Sequence, residues 1–240
     1  PSKIYITLNV MDSGDALWYY QLYQRQVWAD PERGSVPIGY CMNSTLYDSF
    51  PLVLQWYYEH ATPNDVFFNL QYYNTQFYGS RFRPKDRERI WKEMADMTAY
   101  YCNKLDIQGT ELYNGAWNAK TPPSDDVFRY FINANDNLKF ILADLGRHDN
   151  INPSNSNYMI GDVTVFHTLT RYQVWGSPEE TQHYDREKSI EWLLEEIKQN
   201  SPTTRPGFMS GMGMSWYFFP SWFKELAERL PSEYVLVNPY

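Results

Sequence analysis

The sequence is short of the features that mark several classes of protein. It has only two cysteines, Cys41 and Cys102, each next to a tyrosine and far apart along the chain. This usage is more typical of small buried side chains than of a disulfide, and it leaves the redox compartment open. No run of about 18 apolar residues occurs, so the sequence predicts no membrane-spanning segment.

Positive charge is also scarce. The chain has 21 Lys and Arg against 29 Asp and Glu, which gives a net charge of -8. Nucleic acids and anionic membranes are bound through clustered Lys and Arg, so neither is expected as a partner. A neutral or cationic ligand is more compatible with this charge.

Several catalytic motifs are missing. There is no Gly-x-Ser-x-Gly nucleophile motif, and Gly211 and Gly213 lack the third glycine of a dinucleotide-binding loop. The four histidines, His60, His148, His167 and His183, show no His-x-x-x-His spacing. The sequence therefore predicts no cofactor and no resident metal.

Aromatic residues, by contrast, are abundant. Nine Trp, 21 Tyr and 13 Phe make up 18% of the chain. Ring faces stack on the C-H faces of sugars, and phenol and indole groups hydrogen-bond to hydroxyls. Carbohydrate is therefore a natural ligand class, although many of these rings are expected to fill the core.

Short apolar runs alternate with helical patterns, which is typical of βα units around a parallel sheet. Predicted strands lie at residues 4–10, 36–42, 66–70, 105–109, 139–145, 163–168, 207–212 and 234–237. Predicted helices lie at residues 16–28, 50–61, 84–104, 124–135, 185–199 and 221–230. Residues 148–162, rich in Asn, Ser and Pro, indicate a long surface loop.

This pattern predicts an α/β fold: a TIM-barrel-like (β/α) barrel of about seven to eight mostly parallel strands, distorted or lacking a helix. The length suits one domain spanning residues 1–240. Because the chain begins at Pro1 without a signal peptide, we expect a domain excised from a longer protein.

In parallel barrels, reactive groups lie on loops at the carboxyl ends of the strands. This position selects four candidate catalytic carboxylates: Asp12, Asp15, Glu111 and Asp144. The same criterion, with rings placed to line a cleft, selects candidate substrate-binding residues: Asn43, Gln71, Tyr73, Tyr113, Trp117, Arg147, His148, His167 and Trp216.

Glycoside hydrolysis commonly uses two carboxyl groups about 5 to 10 Å apart, one protonated and one ionised. Asp12 follows the first strand too early to cap the next helix, which favours a functional role, whereas Asp15 suits a helix cap equally well. Glu111, after the predicted fourth strand and flanked by rings, could serve as a general acid or be an ordinary solvated glutamate.

The order of several pieces resembles the GxGYxYxxP family of putative glycoside hydrolases. These pieces are a strand running into DSGD at 12–15, WADPERG at 28–34, VPIGY at 36–40, Asn43, and TPND at 62–65. The pieces at 28–34 and 62–65 need only a structural role, as turns. Where the family has its Gly-x-Gly-Tyr loop, this chain reads NLQYYNTQFY at 69–78.

The resemblance implies a C-terminal catalytic-like barrel, bacterial and extracytoplasmic, that hydrolyses a polysaccharide or glycoconjugate through paired carboxylates in an aromatic-lined cleft. The altered loop at 69–78 favours an alternative, a non-catalytic carbohydrate-binding or assembly module. A second alternative is a metal-dependent polysaccharide deacetylase, in which Asp12 and Asp15 with His148 or His167 would hold a divalent ion. The sequence does not specify the oligomeric state.

Overall fold

A computed structural model describes residues 2–11, 24–70, 82–113, 125–144, 157–167, 186–214 and 218–240. These residues form nine strands of one sheet. The strands are β1 Ile4–Met11, β2 Ile38–Met42, β3 Asp65–Leu70, β4 Gly109–Tyr113, β5 Phe140–Asp144, β6 Tyr158–Ile160, β7 Val163–His167, β8 Gly207–Met214 and β9 Tyr234–Leu236.

The described part of the chain also forms seven α-helices. They are α1 Gln24–Trp28, α2 Leu46–Ser49, α3 Pro51–Glu59, α4 Pro84–Leu105, α5 Asp125–Ala134, α6 Arg186–Gln199 and α7 Pro220–Arg229. Pro51, Pro84 and Pro220 occupy the first turns of their helices, where a missing N-H costs nothing. No helix within the described ranges is both long enough and apolar enough to cross a membrane.

The sheet is mostly parallel and curls into a half-barrel. Its strand order is β6-β7-β5-β4-β3-β2-β1-β8, with β9 pairing parallel to β1 at the start of that strand. Only β6 runs antiparallel to its neighbour among the described strands. Asn157 Nδ2 donates to the Phe208 carbonyl oxygen at 2.7 Å, so a residue preceding β6 meets β8 at the other edge. The predicted distorted α/β barrel is therefore confirmed.

Alternation along β1 shows how the sequence specifies the two faces of the sheet. Ile6, Leu8 and Val10 pack in the layer beneath the helices, while Thr7 and Asn9 lie between them on the opposite face. A second cluster consists only of strand residues and marks the concave inner face: Cys41, Phe68, Leu70, Phe140, Leu142, Phe166 and Met212.

One strand lies later in the chain than predicted. The segment 105–109 was expected to form the fourth strand, but Leu105 is the last residue of α4 and β4 begins at Gly109. Asp106 adopts a left-handed conformation with φ of 52°, and Ile107 N donates to Cys102 O at 2.9 Å, which ends the helix. The apolar residues at 105 and 107 belong to this helix end.

Two other predictions differ in extent. The predicted helix at 16–28 is seen as α1 from Gln24, and residues 16–23 lie outside the described ranges. Within the predicted loop at 148–162, residues 158–160 form the short strand β6. Both cysteines are free thiols and both are buried, as expected for small core side chains.

Candidate functional site

The register of the strands brings predicted site residues together at one edge of the sheet. Tyr113 pairs with Asp144 across β4 and β5, and Ala143 pairs with His167 across β5 and β7. Each of these three predicted residues is the last of its strand. Strand β1 ends at Met11, immediately before Asp12. The carboxyl edge of the sheet therefore holds predicted residues on three strands, and a fourth strand ends there directly before Asp12 in the sequence.

Glu111 lies within this region but not in a loop. It is the third residue of β4 and is fully buried, so the expectation that it follows the strand, and the alternative of a solvated glutamate, are both wrong. Glu111 pairs with Leu70 on one side and Leu142 on the other, and both belong to the inner-face cluster. Its side chain therefore lies on the concave face of the sheet.

Cys41 contacts Glu111 across the curl of the sheet. Its Sγ lies 3.4 Å from Glu111 Oε2, within hydrogen-bond range for sulfur, and both residues are 0% exposed. The two residues belong to β2 and β4, which are separated by β3. Sequence reasoning missed Cys41 as a site residue, and the alternation of Tyr40, Cys41 and Met42 was the available signal for its inward direction.

A second polar group on the inner face lies at the junction of β1 and β8. Asn9 Nδ2 donates to Thr7 Oγ1 at 3.0 Å and to Ser210 Oγ at 3.1 Å, and all three residues are buried. Asn9 Oδ1 lies against Gly39 on β2, where an added Cβ would be 2.2 Å from that oxygen. These three residues are not among the predicted candidates, because they lie within apolar strands rather than at strand ends.

Asn43 follows β2 and is buried. Its Oδ1 accepts hydrogen bonds from Thr45 N at 3.0 Å and Thr45 Oγ1 at 2.6 Å, and its carbonyl oxygen accepts from Leu46 N. These contacts form an Asx turn that leads into α2. The structure thus gives Asn43 a local role, and its predicted contact with substrate stays a prediction.

Asn69, on β3, belongs to the outer layer. It is fully buried and alternates with the inner-face residues Phe68 and Leu70. Its neighbour is Cys102 on α4: burial raises the pKa of the Cys102 thiol to about 12, and the Asn69 side chain opposes that rise. Asn69 therefore supports helix packing and does not face the candidate site.

The remaining candidates are strand-end residues or fall outside the described ranges. The structure describes the backbone of Tyr113, Asp144 and His167. The other predicted residues lie outside the described ranges: Asp12, Asp15, Gln71, Tyr73, Trp117, Arg147, His148 and Trp216. Their roles stay predictions. Within the described ranges, no group of three or more His, Cys, Asp or Glu residues is arranged to hold a metal ion.

Solved structures share this fold at low sequence identity. A putative hydrolase from Bacteroides thetaiotaomicron superposes with a TM-score of 0.71 at 18% identity over 98% of this chain. A putative polysaccharide deacetylase from Mycobacterium smegmatis superposes with a TM-score of 0.59 at 9% sequence identity over 99% of this chain. A 4-alpha-glucanotransferase from Thermococcus litoralis superposes with a TM-score of 0.53 at 12% sequence identity, also over 99% of this chain. At these identities the likeness concerns the fold.

The lengths of these proteins differ. The chain spans 43% of the Bacteroides hydrolase and 39% of the glucanotransferase, but 88% of the deacetylase. A search of curated proteins found no match. At the level of sequence, residues 2–240 match the family described as "GxGYxYP putative glycoside hydrolase C-terminal domain". With nearly its whole length matched, and with the half-barrel such a domain was expected to have, the chain belongs to this family, the GxGYxYP putative glycoside hydrolase C-terminal domain.

Proposed function

We propose that this domain hydrolyses a glycosidic bond in a polysaccharide or glycoconjugate at the carboxyl edge of its curled sheet. The observation that carries this proposal is the placement of Glu111 and Asp144 on adjacent strands, with Asp144 closing β5. Membership of a family described as putative glycoside hydrolases supports the same reaction class.

The strand register supplies a spacing suited to the reaction. Glu111 pairs with Leu142, two residues before Asp144 on the same strand. Adjacent strands lie about 4.8 Å apart and each residue rises about 3.3 Å, so the two Cα atoms are roughly 8 Å apart. This separation is compatible with carboxyl groups at the distances that retaining or inverting glycosidases use.

We assign the two carboxyl groups different protonation states. Glu111 is fully buried on the inner face, and burial disfavours the charged form of a carboxyl group. We assign it the role of proton donor to the leaving oxygen. Asp144, at the strand end, is assigned the ionised role of activating water or attacking the anomeric carbon, with Asp12 as the alternative for that role.

The test is a screen of the purified domain against a glycan array, followed by hydrolysis assays on every glycan that binds. We expect Glu111→Gln and Asp144→Asn each to lower turnover by about 10²- to 10⁴-fold, as expected for loss of general acid or base catalysis. Asp12→Asn is assayed in parallel to decide between the two aspartates.

Asp136→Asn is the matched control. It removes the same charge from an exposed turn before β5, at the opposite edge of the sheet. Unchanged turnover in Glu111→Gln and in both aspartate variants, with folding retained, would exclude the proposed carboxyl groups.

A non-catalytic glycan-binding module is the second candidate. The segment NLQYYNTQFY at 69–78 favours it, because bulky side chains replace the glycines of the family loop. This function predicts binding on the array without turnover, and about tenfold weaker binding in Trp216→Ala, since a stacked ring contributes about 1 kcal/mol.

The same assays distinguish deacetylation. Release of acetate instead of reducing ends, abolished by a chelator and by Asp12→Asn, would identify metal-dependent chemistry. Its predicted ligands are Asp12, Asp15, His148 and His167.

A further inference from the structure

We propose that Cys41 is a positioning residue for Glu111: its thiol donates a hydrogen bond to Glu111 Oε2 and fixes the carboxyl group on the inner face of the sheet. The hydrogen bond is inferred from the geometry alone. Its consequence for hydrolysis rests on the function proposed above.

The contact reaches over one intervening strand. Strands separated by one neighbour lie about 9 to 10 Å apart in a flat sheet, so the short thiol is met by the longer glutamate side chain. Here Cys41 Sγ and Glu111 Oε2 are 3.4 Å apart, above Phe68 and Leu70 on the intervening strand.

The chemistry of the two groups determines the direction of the hydrogen bond. Burial disfavours the charged thiolate, which favours Cys41 as a neutral donor rather than a nucleophile. Donation to the carboxylate stabilises its ionised form and opposes the effect of burial. The thiol thus holds the proton affinity of Glu111 below that of a carboxyl group surrounded only by apolar side chains.

Packing is the competing explanation for Cys41, since it belongs to the apolar inner-face cluster. The two explanations differ for serine and alanine. Cys41→Ser keeps a donor but introduces a more polar atom, whereas Cys41→Ala removes the donor and keeps the site apolar. Positioning predicts that serine resembles the native residue, and packing predicts that serine is no better than alanine.

The primary measurement is the titration of Glu111, monitored by carboxyl NMR of glutamate-labelled protein. The Glu111 signal is assigned by its loss in Glu111→Gln. We expect Cys41→Ala to raise the titration midpoint by about half to one pH unit, the size of one hydrogen bond. Cys41→Ser is expected to stay near the native midpoint. Cys102→Ala, which removes the other buried thiol from α4, is expected to leave the midpoint unchanged.

An unchanged midpoint in Cys41→Ala, or equal shifts in the alanine and serine variants, would overturn the proposal. If the alanine variant does not fold, Cys41→Val serves as the donor-free variant of larger volume. On a substrate found by the array, the limb of the pH-rate profile that reports Glu111 is expected to move with the midpoint. A shifted midpoint without hydrolysis of any glycan would support the hydrogen bond and reject the hydrolase function. Hydrolysis without a shifted midpoint would support the hydrolase function and reject the hydrogen bond.

Discussion

Asp65 and Glu111 are both acidic residues buried on strands of the same sheet, yet their surroundings differ. Asp65 opens β3 at the amino edge, where Oδ2 forms an ion pair with Arg33 and accepts from Thr62 N at 2.8 Å. Glu111 lies in the middle of β4, where Oε2 meets the thiol of Cys41. A cation from a nearby turn compensates the Asp65 charge, whereas the contact at Glu111 Oε2 is with a neutral thiol. We interpret the amino edge as built for stability and the inner face near Glu111 as built for chemistry.

The ion pair at the amino edge is part of a connected network. The Arg33 guanidinium lies 4.2 Å from the centre of the Trp28 ring, and its Nε donates to Trp28 O at 3.0 Å. Gly34 has φ of 83° and lies against Thr62, and Asn64 Nδ2 donates to Gly34 O at 2.7 Å. The pieces at 28–34 and 62–65 thus hold each other, which agrees with their interpretation as structural turns.

The largest effect is expected from breaking the amino-edge pair. Arg33→Met leaves the Asp65 carboxylate buried without its cation and should lower the free energy of unfolding by about 3 to 5 kcal/mol. Denaturant unfolding measures this loss. The control is Arg89→Met, which breaks an exposed pair with Glu93 within α4 and should cost under about 0.5 kcal/mol. Similar losses in the two variants would show that the buried pair contributes no more than a surface one.

The sequence was sufficient for most of the architecture. The runs at 4–10 and 207–212 are short and apolar on one or both faces, which predicts strands. The structure has strands β1 and β8 at these positions. The strand at 105–109 was misplaced because Leu105 and Ile107 continue an apolar pattern across the end of α4. The helix stop comes from the left-handed Asp106, and aspartate is a less certain stop signal than glycine.

The candidate site was less predictable, for a physical reason. Position after a strand selected Asp144, Tyr113 and His167, which the register brings to one edge. Burial of Glu111 was not foreseeable, because glutamate is rarely fully buried. Its contact with Cys41 joins two strands separated by a third, and local sequence patterns do not encode which strands lie close together in the sheet.

A smaller effect is expected from substituting Gly39, which tests how tightly the inner face of the sheet is packed. Gly39 lies two residues before Cys41 on β2, and an added methyl group would meet Asn9 Oδ1 at 2.2 Å and Phe68 Cε1 at 3.3 Å. Gly39→Ala should therefore lower the free energy of unfolding by about 1 to 3 kcal/mol, as overpacking does. Thermal and denaturant unfolding measure the change.

Two further variants separate crowding from a general effect of replacing glycine in a strand. Gly211→Ala on β8 would place its methyl group 3.4 Å from Leu8 Cδ2, an ordinary contact, and should change stability by less than about 1 kcal/mol. Asn9→Ala should recover part of the loss in Gly39→Ala, since it removes the oxygen that is crowded. If Gly39→Ala lowers the free energy of unfolding equally in the native protein and in the Asn9→Ala variant, this explanation is rejected.

The smallest effect is expected at Glu111, and it is the most direct test of the contrast with Asp65. Glu111→Gln preserves the size of the side chain and, for a buried carboxyl group in the protonated form assigned above, exchanges one neutral side chain for another, so stability should change by less than about 1 kcal/mol, in either direction. Asp65→Asn makes the same chemical change but removes the partner of a buried guanidinium, which should cost about 3 kcal/mol. Denaturant unfolding of both variants at neutral pH gives the comparison. A loss at Glu111 as large as that at Asp65 would make the Glu111 carboxylate a structural charge, and the division of the sheet into a stabilising edge and a reactive inner face would fail.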